Sequence, residues 1–164
     1  MSTLTTWTGH QINPVKLRAE DVDIVDIAHA LSMICRFNGH CARFYSVAEH
    51  SVLVSRLCPP SFARAGLLHD ATEAYIADIP RPLKEKLPDY VVAEQVAERV
   101  MSEHFGVPEM MPDLVRQADD EALRIEMAAI LVVRGTTSLD QRVRCLTPPQ
   151  ACEEFLARFR ELSA

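Results

Sequence analysis

Residues 66–75 read Gly66-Leu67-Leu68-His69-Asp70-Ala71-Thr72-Glu73-Ala74-Tyr75. This stretch is an apolar helical run that three ionisable side chains interrupt. Because residues three and four apart share one side of a helix, Glu73 is expected beside His69 and Asp70. Burying these groups without partners costs several kcal/mol, and a cation bound by His69 and Asp70 would offset that cost, with Glu73 free beside it. The alternative is a helix edge with one structural histidine and two solvated acids.

Composition and charge limit the class of protein. The chain has 164 residues, of which 48% are hydrophobic and 24% are charged, as in a globular protein of one domain. A formal net charge of −6 argues against a long nucleic acid or an anionic membrane as partner, but it allows a small anionic ligand. Neither a signal peptide nor an apolar run long enough to span a bilayer is expected.

The cysteines indicate the redox compartment. There are five of them, an odd number, and no two have the Cys-x-x-Cys spacing. A disulfide framework or a cysteine zinc site is therefore not expected. Reduced thiols and a cytoplasmic location are predicted instead.

Helix signals predict an all-α fold over a single domain, residues 1–164, with five to six helices. Residues 1–22 are expected to be extended or hairpin-like, because Gly9 and Asn13-Pro14 interrupt a threonine-rich stretch. Residues 24–133 should form the helical core, and residues 150–162 a C-terminal helix. The helices predicted within the core are 24–35, 47–57, 61–76, 90–105 and 113–133.

Three details of this prediction can be tested against the structure. Ser46 and Glu49 have the spacing of a capping box at the start of the second helix. Residues 78–84 are expected to be a rigid loop, because Pro80 and Pro82 end the preceding helix. Residues 136–149 are expected to be irregular.

Candidate metal ligands occur in separate parts of the chain. His50 lies on the second predicted helix, His69 and Asp70 on the third, and an aspartate in residues 117–126 on the fifth. Two imidazoles and two carboxylates suit one divalent transition metal ion such as Mn, Co, Ni, Fe or Zn. A closed structural zinc site would usually recruit thiolates. Four protein ligands would leave positions open for water and a substrate oxygen.

The pattern His50 … His69-Asp70 … Asp119 resembles the signature of the HD-domain phosphohydrolase superfamily, which implies an HD-domain helical bundle. Residues 69–73 (His-Asp-Ala-Thr-Glu) and 77–84 (Ala-Asp-Ile-Pro-Arg-Pro-Leu-Lys) are similar to its bacterial 5′-deoxynucleotidase branch.

Further residues carry the same resemblance. Arg36-Phe37 resembles the Arg-Trp pair of that branch, with phenylalanine in place of tryptophan. The stretches 36–40 and 45–50 resemble short phage and bacterial members more closely, among them dATP triphosphohydrolases. The resemblance covers about residues 24–126.

The resemblance implies a role for each matching residue. The metal ligands would be His50, His69, Asp70 and Asp119. Asp119 is preferred to its neighbour Asp120 because Ala-Asp-x-x-x-Leu-x-x-Glu matches the ligand helix of the family. The catalytic residues would be Glu73, which transfers a proton, and Asp78, which contacts a sugar hydroxyl or water.

Four side chains are candidates for substrate binding. They are Arg36 and Lys84 for phosphate, Phe37 for the base, and His40 as a substrate contact or a support of the site. Three of them have an ordinary alternative: Lys84 could be a solvated loop residue, Phe37 could fill the core and His40 could be structural. Asp78 could likewise be a loop cap.

The predicted function is hydrolysis of phosphate ester or anhydride bonds in small (deoxy)nucleotides, as a 5′-nucleotidase or dNTP triphosphohydrolase, by metal-activated water. The enzymatic alternatives are a phosphoesterase on 2′,3′-cyclic nucleotides or RNA ends, and an oxygenase. The alternative of another class is a non-catalytic, metal-containing nucleotide-binding or sensor module. The resemblance also implies a homo-oligomer, a dimer or larger.

Overall fold

The structure is a computed structural model and describes residues 3–131 and 140–163. Its strands and helices are, in chain order, β1 (Leu4–Thr5), β2 (Gln11–Ile12), α1 (Ile24–Met33), α2 (Val47–Leu57), α3 (Ala63–Leu68), α4 (Glu73–Ile76), α5 (Arg81–Lys84), α6 (Pro88–Phe105), α7 (Asp113–Ile130) and α8 (Pro148–Glu161). Short 3-10 turns lie at Pro14–Lys16, Ala19–Asp21, Phe37–Gly39 and Pro60–Phe62. The prediction of an all-α protein is confirmed. The described residues form eight helices instead of the predicted five to six, because α4 and α5 are short helices of their own.

The N-terminal segment is a small hairpin that packs on α1. Strands β1 and β2 are antiparallel, with Leu4 opposite Ile12. The backbone N–H and the hydroxyl of Thr8 donate to the two carboxylate oxygens of Asp26, at 2.7 and 2.8 Å. Because the Asp26 carboxylate is buried, this pair of hydrogen bonds fixes the hairpin to the helical part of the fold.

Helix α2 is the centre of the fold. Every residue from Val47 to Ser55 is buried, and the helix contacts α1, α3, α7 and α8. One apolar cluster includes its residues Val47 and Val52, and a second cluster includes Leu53 and Val54. A helix that is buried on all sides belongs to the interior of a protein. Any polar side chain on α2 therefore needs a partner inside the molecule.

The predicted capping box at the start of α2 forms only in part. The Ser46 hydroxyl accepts from the Glu49 backbone N–H at 3.1 Å. The Glu49 carboxylate instead accepts from the backbone N–H groups of Arg144, Cys145 and Leu146, at 2.8 to 3.1 Å. Three donors satisfy a buried carboxylate better than one. Glu49 thereby fastens the segment that leads into α8 to the central helix.

The single helix predicted over residues 61–76 is divided. Helix α3 ends at Leu68, and residues 69–72 form a turn in which backbone bonds run from residue i to i−3, as from Ala71 to Leu68. The Gly66 carbonyl, which in a regular α-helix accepts from the amide of residue 70, accepts from Nδ1 of His69 at 2.8 Å. The imidazole of His69 therefore replaces a backbone N–H as the hydrogen-bond donor to Gly66, at the point where the helix is interrupted.

Other element boundaries also differ from the prediction. The predicted loop 78–84 contains the short helix α5. Helix α6 begins two residues earlier than predicted, at Pro88, since proline fits the first turn of a helix. The helix predicted over 113–133 ends earlier, because α7 stops at Ile130 and Leu131 is extended. Helix α8 begins at Pro148, two residues before the predicted start at 150 and within the predicted irregular segment 136–149. The first part of that segment lies outside the described residues. Across residues 3–131 and 140–163, no helix is both long and apolar enough to cross a bilayer.

Helices α2 and α3 approach each other closely at Gly66. A Cβ atom at this position would lie 2.7 Å from Sγ of Cys58 and 3.3 Å from Cα of Ser55. Glycine therefore permits the packing that holds the end of α3 against the central helix.

Replacing Gly66 with alanine is expected to lower the free energy of unfolding by about 1–3 kcal/mol, because overpacking outweighs the better helix propensity of alanine. Urea or thermal unfolding measures the change. A second substitution, Cys58→Ala, removes the nearer atom and should recover part of the loss. A Gly66→Ala chain as stable as the wild type would contradict the close approach.

Candidate metal centre

Two histidines and two aspartates from three helical segments meet at one point. Nε2 of His50 lies 3.3 Å from Nε2 of His69, 3.5 Å from Oδ2 of Asp70 and 3.1 Å from Oδ1 of Asp119. Nε2 of His69 lies 3.2 Å from Oδ2 of Asp70 and 3.8 Å from Oδ1 of Asp119. The structure thus brings together all four side chains that the sequence nominated as ligands.

The far side of each imidazole determines which nitrogen carries hydrogen. Nδ1 of His69 lies 2.8 Å from the Gly66 carbonyl, which can only accept. Nδ1 of His50 lies 2.6 Å from Oε1 of Glu126, whose other oxygen is paired with Arg36. Both Nδ1 atoms are therefore assigned as donors from their partners. In the neutral form, both Nε2 atoms direct a lone pair into the cluster.

The cluster consequently contains more acceptors than donors. A proton on Nε2 of His69 can be shared with Asp70, but Nε2 of His50 still faces the Asp119 carboxylate. A divalent ion with bonds of about 2.1 Å separates neighbouring ligand atoms by about 3.0–3.4 Å, close to the distances in the cluster. Imidazole nitrogen and carboxylate oxygen are also the donor set that Mn, Fe, Co, Ni and Zn accept. The residues present therefore fit a divalent transition ion.

The charges within the cluster shift the pKa values of its members. Burial alone would lower the pKa of His69, but the Asp70 and Asp119 carboxylates outweigh it and raise that pKa to about 9. Burial would raise the pKa of Asp70, but the positive charge of His69 leads the effects that hold it well below its usual range. Without a metal, the cluster is therefore an imidazolium between carboxylates.

The centre is open on its carboxylate side. The side chain of His50 is completely buried and that of His69 is 3% exposed, whereas those of Asp70 and Asp119 are 20% and 33% exposed. The imidazoles thus form the floor and the carboxylates face the solvent. Asp120, the alternative to Asp119, is exposed and is not part of the cluster.

Glu73 is the first residue of α4 and lies beside the cluster. Burial raises its pKa most, the nearby carboxylates of Asp70 and Asp78 add to the effect, and the resulting pKa is about 8. In the absence of a cation, this carboxyl group is therefore mostly protonated at neutral pH. A group with a pKa in this range can transfer a proton near neutrality.

Arg36 stands next to the cluster on the segment that precedes α2. Its Nη1 lies 3.8 Å from Oδ2 of Asp70, and its Nε and Nη2 each lie 3.1 Å from Oε2 of Glu126. The guanidinium carbon lies 5.3 Å from the ring centroid of Phe37. The structure therefore places both members of the predicted Arg36-Phe37 pair at the edge of the centre.

The other predicted substrate contacts are less direct. Nζ of Lys84 lies 2.6 Å from Oε1 of Glu94 and 3.9 Å from Oδ1 of Asp78, so two carboxylates already share its charge. Asp78, predicted as a catalytic residue, therefore has Lys84 nearby. His40 is exposed, and its side chain forms no hydrogen bond or ion pair within the described part of the chain.

Strained backbone occurs on both segments that border the centre. Phe37 and Asn38 have φ values of +56° and +50°, and Ala77 has φ +51° and ψ +148°. Such conformations cost a non-glycine residue of the order of 1–3 kcal/mol and persist only when their surroundings impose them. At Ala77 the Tyr90 hydroxyl donates to the carbonyl at 2.5 Å. This bond helps to hold the turn between Glu73 and Asp78.

Sequence reasoning missed the part that Glu126 plays. This residue has no exposed surface, and its partners His50 and Arg36 are 76 and 90 positions away in the chain. The available signal was its spacing, since a residue seven positions after Asp119 lies on the same face of α7 two turns later. A charged residue on the buried face of a helix indicates a partner across the core.

Binding of a divalent ion is expected to release protons, because the pKa of His69 is about 9 in the metal-free protein. Titration of Mn²⁺ at pH 7.5, by calorimetry in two buffers of different ionisation enthalpy, should give about one proton or more per ion. The number should fall as the pH rises above about 9, where His69 is already neutral. A binding enthalpy that does not depend on the buffer at pH 7.5 would contradict this charge state.

Two relatives are similar to the chain over nearly its whole length. It is 41% identical over 172 residues to the uncharacterized protein YfdR of Escherichia coli strain K12, covering 99% of this chain and 97% of that protein. It is 29% identical over 190 residues to the uncharacterized protein RCAP_rcc00048 of Rhodobacter capsulatus, covering 94% of this chain and 92% of that protein. No protein-family model matches the chain. With this identity and coverage, the chain belongs to the same family as YfdR.

Proposed function

We propose that this protein is a metal-dependent phosphohydrolase of the HD-domain type that acts on small (deoxy)nucleotides. The observation that carries the proposal is that two imidazoles and two carboxylates meet. The two Nε2 atoms lie 3.3 Å apart, and each lies 3.1 to 3.8 Å from Oδ2 of Asp70 and Oδ1 of Asp119. Arg36 and Glu73, which lie beside this cluster, supply the further groups that phosphate hydrolysis needs.

His50, His69, Asp70 and Asp119 would hold the ion. Bound there, a divalent cation supplies Lewis acidity, which lowers the pKa of water and offsets phosphate charge. The chain's own side chains around the centre are mostly carboxylates, with Arg36 and Lys84 as the neighbouring cations. A phosphate group would be repelled by these carboxylates unless a cation balanced them. The anionic substrate and the cation are therefore expected to bind together.

Arg36 would orient the phosphate group. Its guanidinium is planar and permanently charged, and Nη1 points towards Asp70 while the other nitrogen atoms are held by Glu126. An arginine held in this way keeps an N–H fork aimed at one place, which reduces the entropy lost when a phosphate binds. Phe37 beside it offers an aromatic face for a base or sugar.

Glu73 would move the proton. Its carboxyl group is not within the ligand set, yet Asp70 and Asp78 are close enough to influence its charge. It can give a proton to the leaving oxygen or accept one from the attacking water. Asp78 would contact a sugar hydroxyl, and Lys84 would reach phosphate only after exchanging its contact with Glu94.

Several expectations from the sequence stay predictions. They are the homo-oligomeric state, the cytoplasmic location, the contact of His40 with substrate and the identity of the metal.

Chain loaded with Mn²⁺ or Co²⁺ is expected to release phosphate from dNMPs or triphosphate from dNTPs, measured by chromatography of both products. Asp119→Asn should lower turnover at least about 10²-fold, because it replaces a negatively charged ligand with a neutral amide, which is a weaker ligand for a divalent ion. Asp120→Asn is the matched control, since its exposed neighbouring carboxylate lies outside the cluster, and turnover should stay within about twofold.

Other results of the same substrate panel would contradict the proposal. Turnover of 2′,3′-cyclic nucleotides alone would indicate a phosphoesterase of the alternative type. Tight nucleotide binding without any product would indicate a sensor module. Equal losses in the Asp119 and Asp120 variants would remove the cluster from the chemistry.

Glu73→Gln is expected to keep the metal but to lower kcat by about 10²–10⁴-fold, because the amide cannot transfer a proton. Asp70→Ala is expected to lose the metal itself. Metal content by elemental analysis and kcat on the best substrate separate the two effects. Glu98→Gln, an exposed position on α6, is the control. A Glu73→Gln enzyme at full rate would exclude this residue from proton transfer.

A further inference from the structure

Glu126 is a buried carboxylate whose partners come from other parts of the chain. Its side chain has no exposed surface, although a buried charge is costly unless it is paired. Oε1 lies 2.6 Å from Nδ1 of His50, and Oε2 lies 3.1 Å from Nε and from Nη2 of Arg36. Both oxygens are thus hydrogen-bonded, one to a proposed metal ligand and the other to the proposed phosphate-binding residue.

We infer that Glu126 is a positioning residue that fixes the cation and the phosphate group relative to each other. The inference rests on the proposed function, in which His50 binds the ion and Arg36 binds phosphate. Glu126 itself touches neither. It acts through the two side chains that do.

At His50 the carboxylate selects the tautomer. Oε1 accepts the hydrogen of Nδ1, so the lone pair stays on Nε2, which faces His69, Asp70 and Asp119. A carboxylate behind a histidine ligand also makes the other nitrogen a stronger donor to a metal, and loss of such a partner typically costs 10–100-fold in affinity.

At Arg36 the carboxylate selects the direction of the guanidinium. Oε2 takes the hydrogens of Nε and Nη2, which leaves Nη1 as the nitrogen nearest to Asp70, at 3.8 Å. The backbone N–H of Arg36 donates to the carbonyl of Tyr45 at 2.9 Å, so both ends of the residue are held. The free part of the guanidinium is therefore turned towards the cluster.

The two contacts require that both carboxylate oxygens of Glu126 accept hydrogen bonds. Glutamine has the same shape, but it offers one oxygen and one NH₂ group. If its oxygen accepts from His50, its NH₂ faces the N–H groups of Arg36, and if it turns over, the NH₂ faces His50. Glu126→Gln must therefore either break one of the two contacts or force His50 into the tautomer that carries its hydrogen on Nε2, and it leaves the volume of the core unchanged.

The test compares full-length wild type, Glu126→Gln and Glu121→Gln. Glu121 lies on the same helix but pairs with Arg124 at the surface, which makes it the matched control. Calorimetry measures binding of Mn²⁺ alone, and then of inorganic pyrophosphate to Mn²⁺-saturated protein. Glu126→Gln should weaken Mn²⁺ by about 10–100-fold, pyrophosphate by about tenfold, or both. Glu121→Gln should change neither by more than about twofold.

A second variant keeps the inference testable if Glu126→Gln does not fold, which circular dichroism would reveal. Arg36→Lys retains a positive charge opposite Glu126 but lacks the planar set of N–H donors of the guanidinium. It should bind Mn²⁺ within about threefold of the wild type and bind pyrophosphate about tenfold more weakly. Pyrophosphate affinity unchanged in Arg36→Lys, or both affinities unchanged in a folded Glu126→Gln, would overturn the inference.

This experiment also separates the inference from the proposed function. Suppose that the variants bind Mn²⁺ and pyrophosphate as expected, but the wild type hydrolyses no nucleotide. Glu126 would then still be a positioning residue, and the proposed enzyme activity would be refuted. Hydrolysis of nucleotides by a Glu126→Gln chain with unchanged kcat and KM would keep the activity and refute the role of Glu126.

Discussion

The structure depends on an excess of acceptor atoms at one point. Nε2 of His50 faces the carboxylate of Asp119 at 3.1 Å, and both Nδ1 atoms of the histidine pair are already committed to other acceptors. Lone pairs at this distance repel unless a positive charge lies between them. In the metal-free protein a proton on His69 offsets part of this repulsion, and a bound divalent ion would offset all of it.

The fold supplies the rigidity that such an arrangement requires. Helix α2 is surrounded by α1, α3, α7 and α8, so His50 has no room to turn away. Gly66 allows α3 to approach α2, and its carbonyl then holds His69. Glu126 reaches His50 from α7, the helix that also carries Asp119. Each of the two histidines is therefore fixed by a contact outside the cluster, which is how proteins prepare a metal site before the ion binds.

Local signals were sufficient to predict most of the helices. Ser46 caps α2 and Gly106, with a positive φ, ends α6, as their residue types indicate. The break between α3 and α4 at residues 69–72 could not be predicted, because it accompanies a hydrogen bond from the His69 side chain to the carbonyl of Gly66. The partners of Glu49 were equally hidden, since they lie about a hundred positions further along the chain. Local patterns do not report contacts of that range.

The candidate site divides in the same way. The spacing of His69, Asp70 and Glu73 was enough to predict that they lie together, because they are neighbours in sequence. The choice of Asp119 over Asp120 came from a resemblance, and the structure places Asp119 in the cluster and Asp120 outside it. The pairing of Lys84 with Glu94 could not be predicted, because it depends on how α5 meets α6.

Anomalous diffraction from crystals of the protein grown with Mn²⁺ tests the central claim most directly. One strong peak per chain is expected, at about 2.0–2.3 Å from Nε2 of His50, Nε2 of His69 and a carboxylate oxygen of Asp119. The account would be contradicted if no peak appeared at saturating Mn²⁺ and the imidazolium and carboxylate groups were hydrogen-bonded directly to one another.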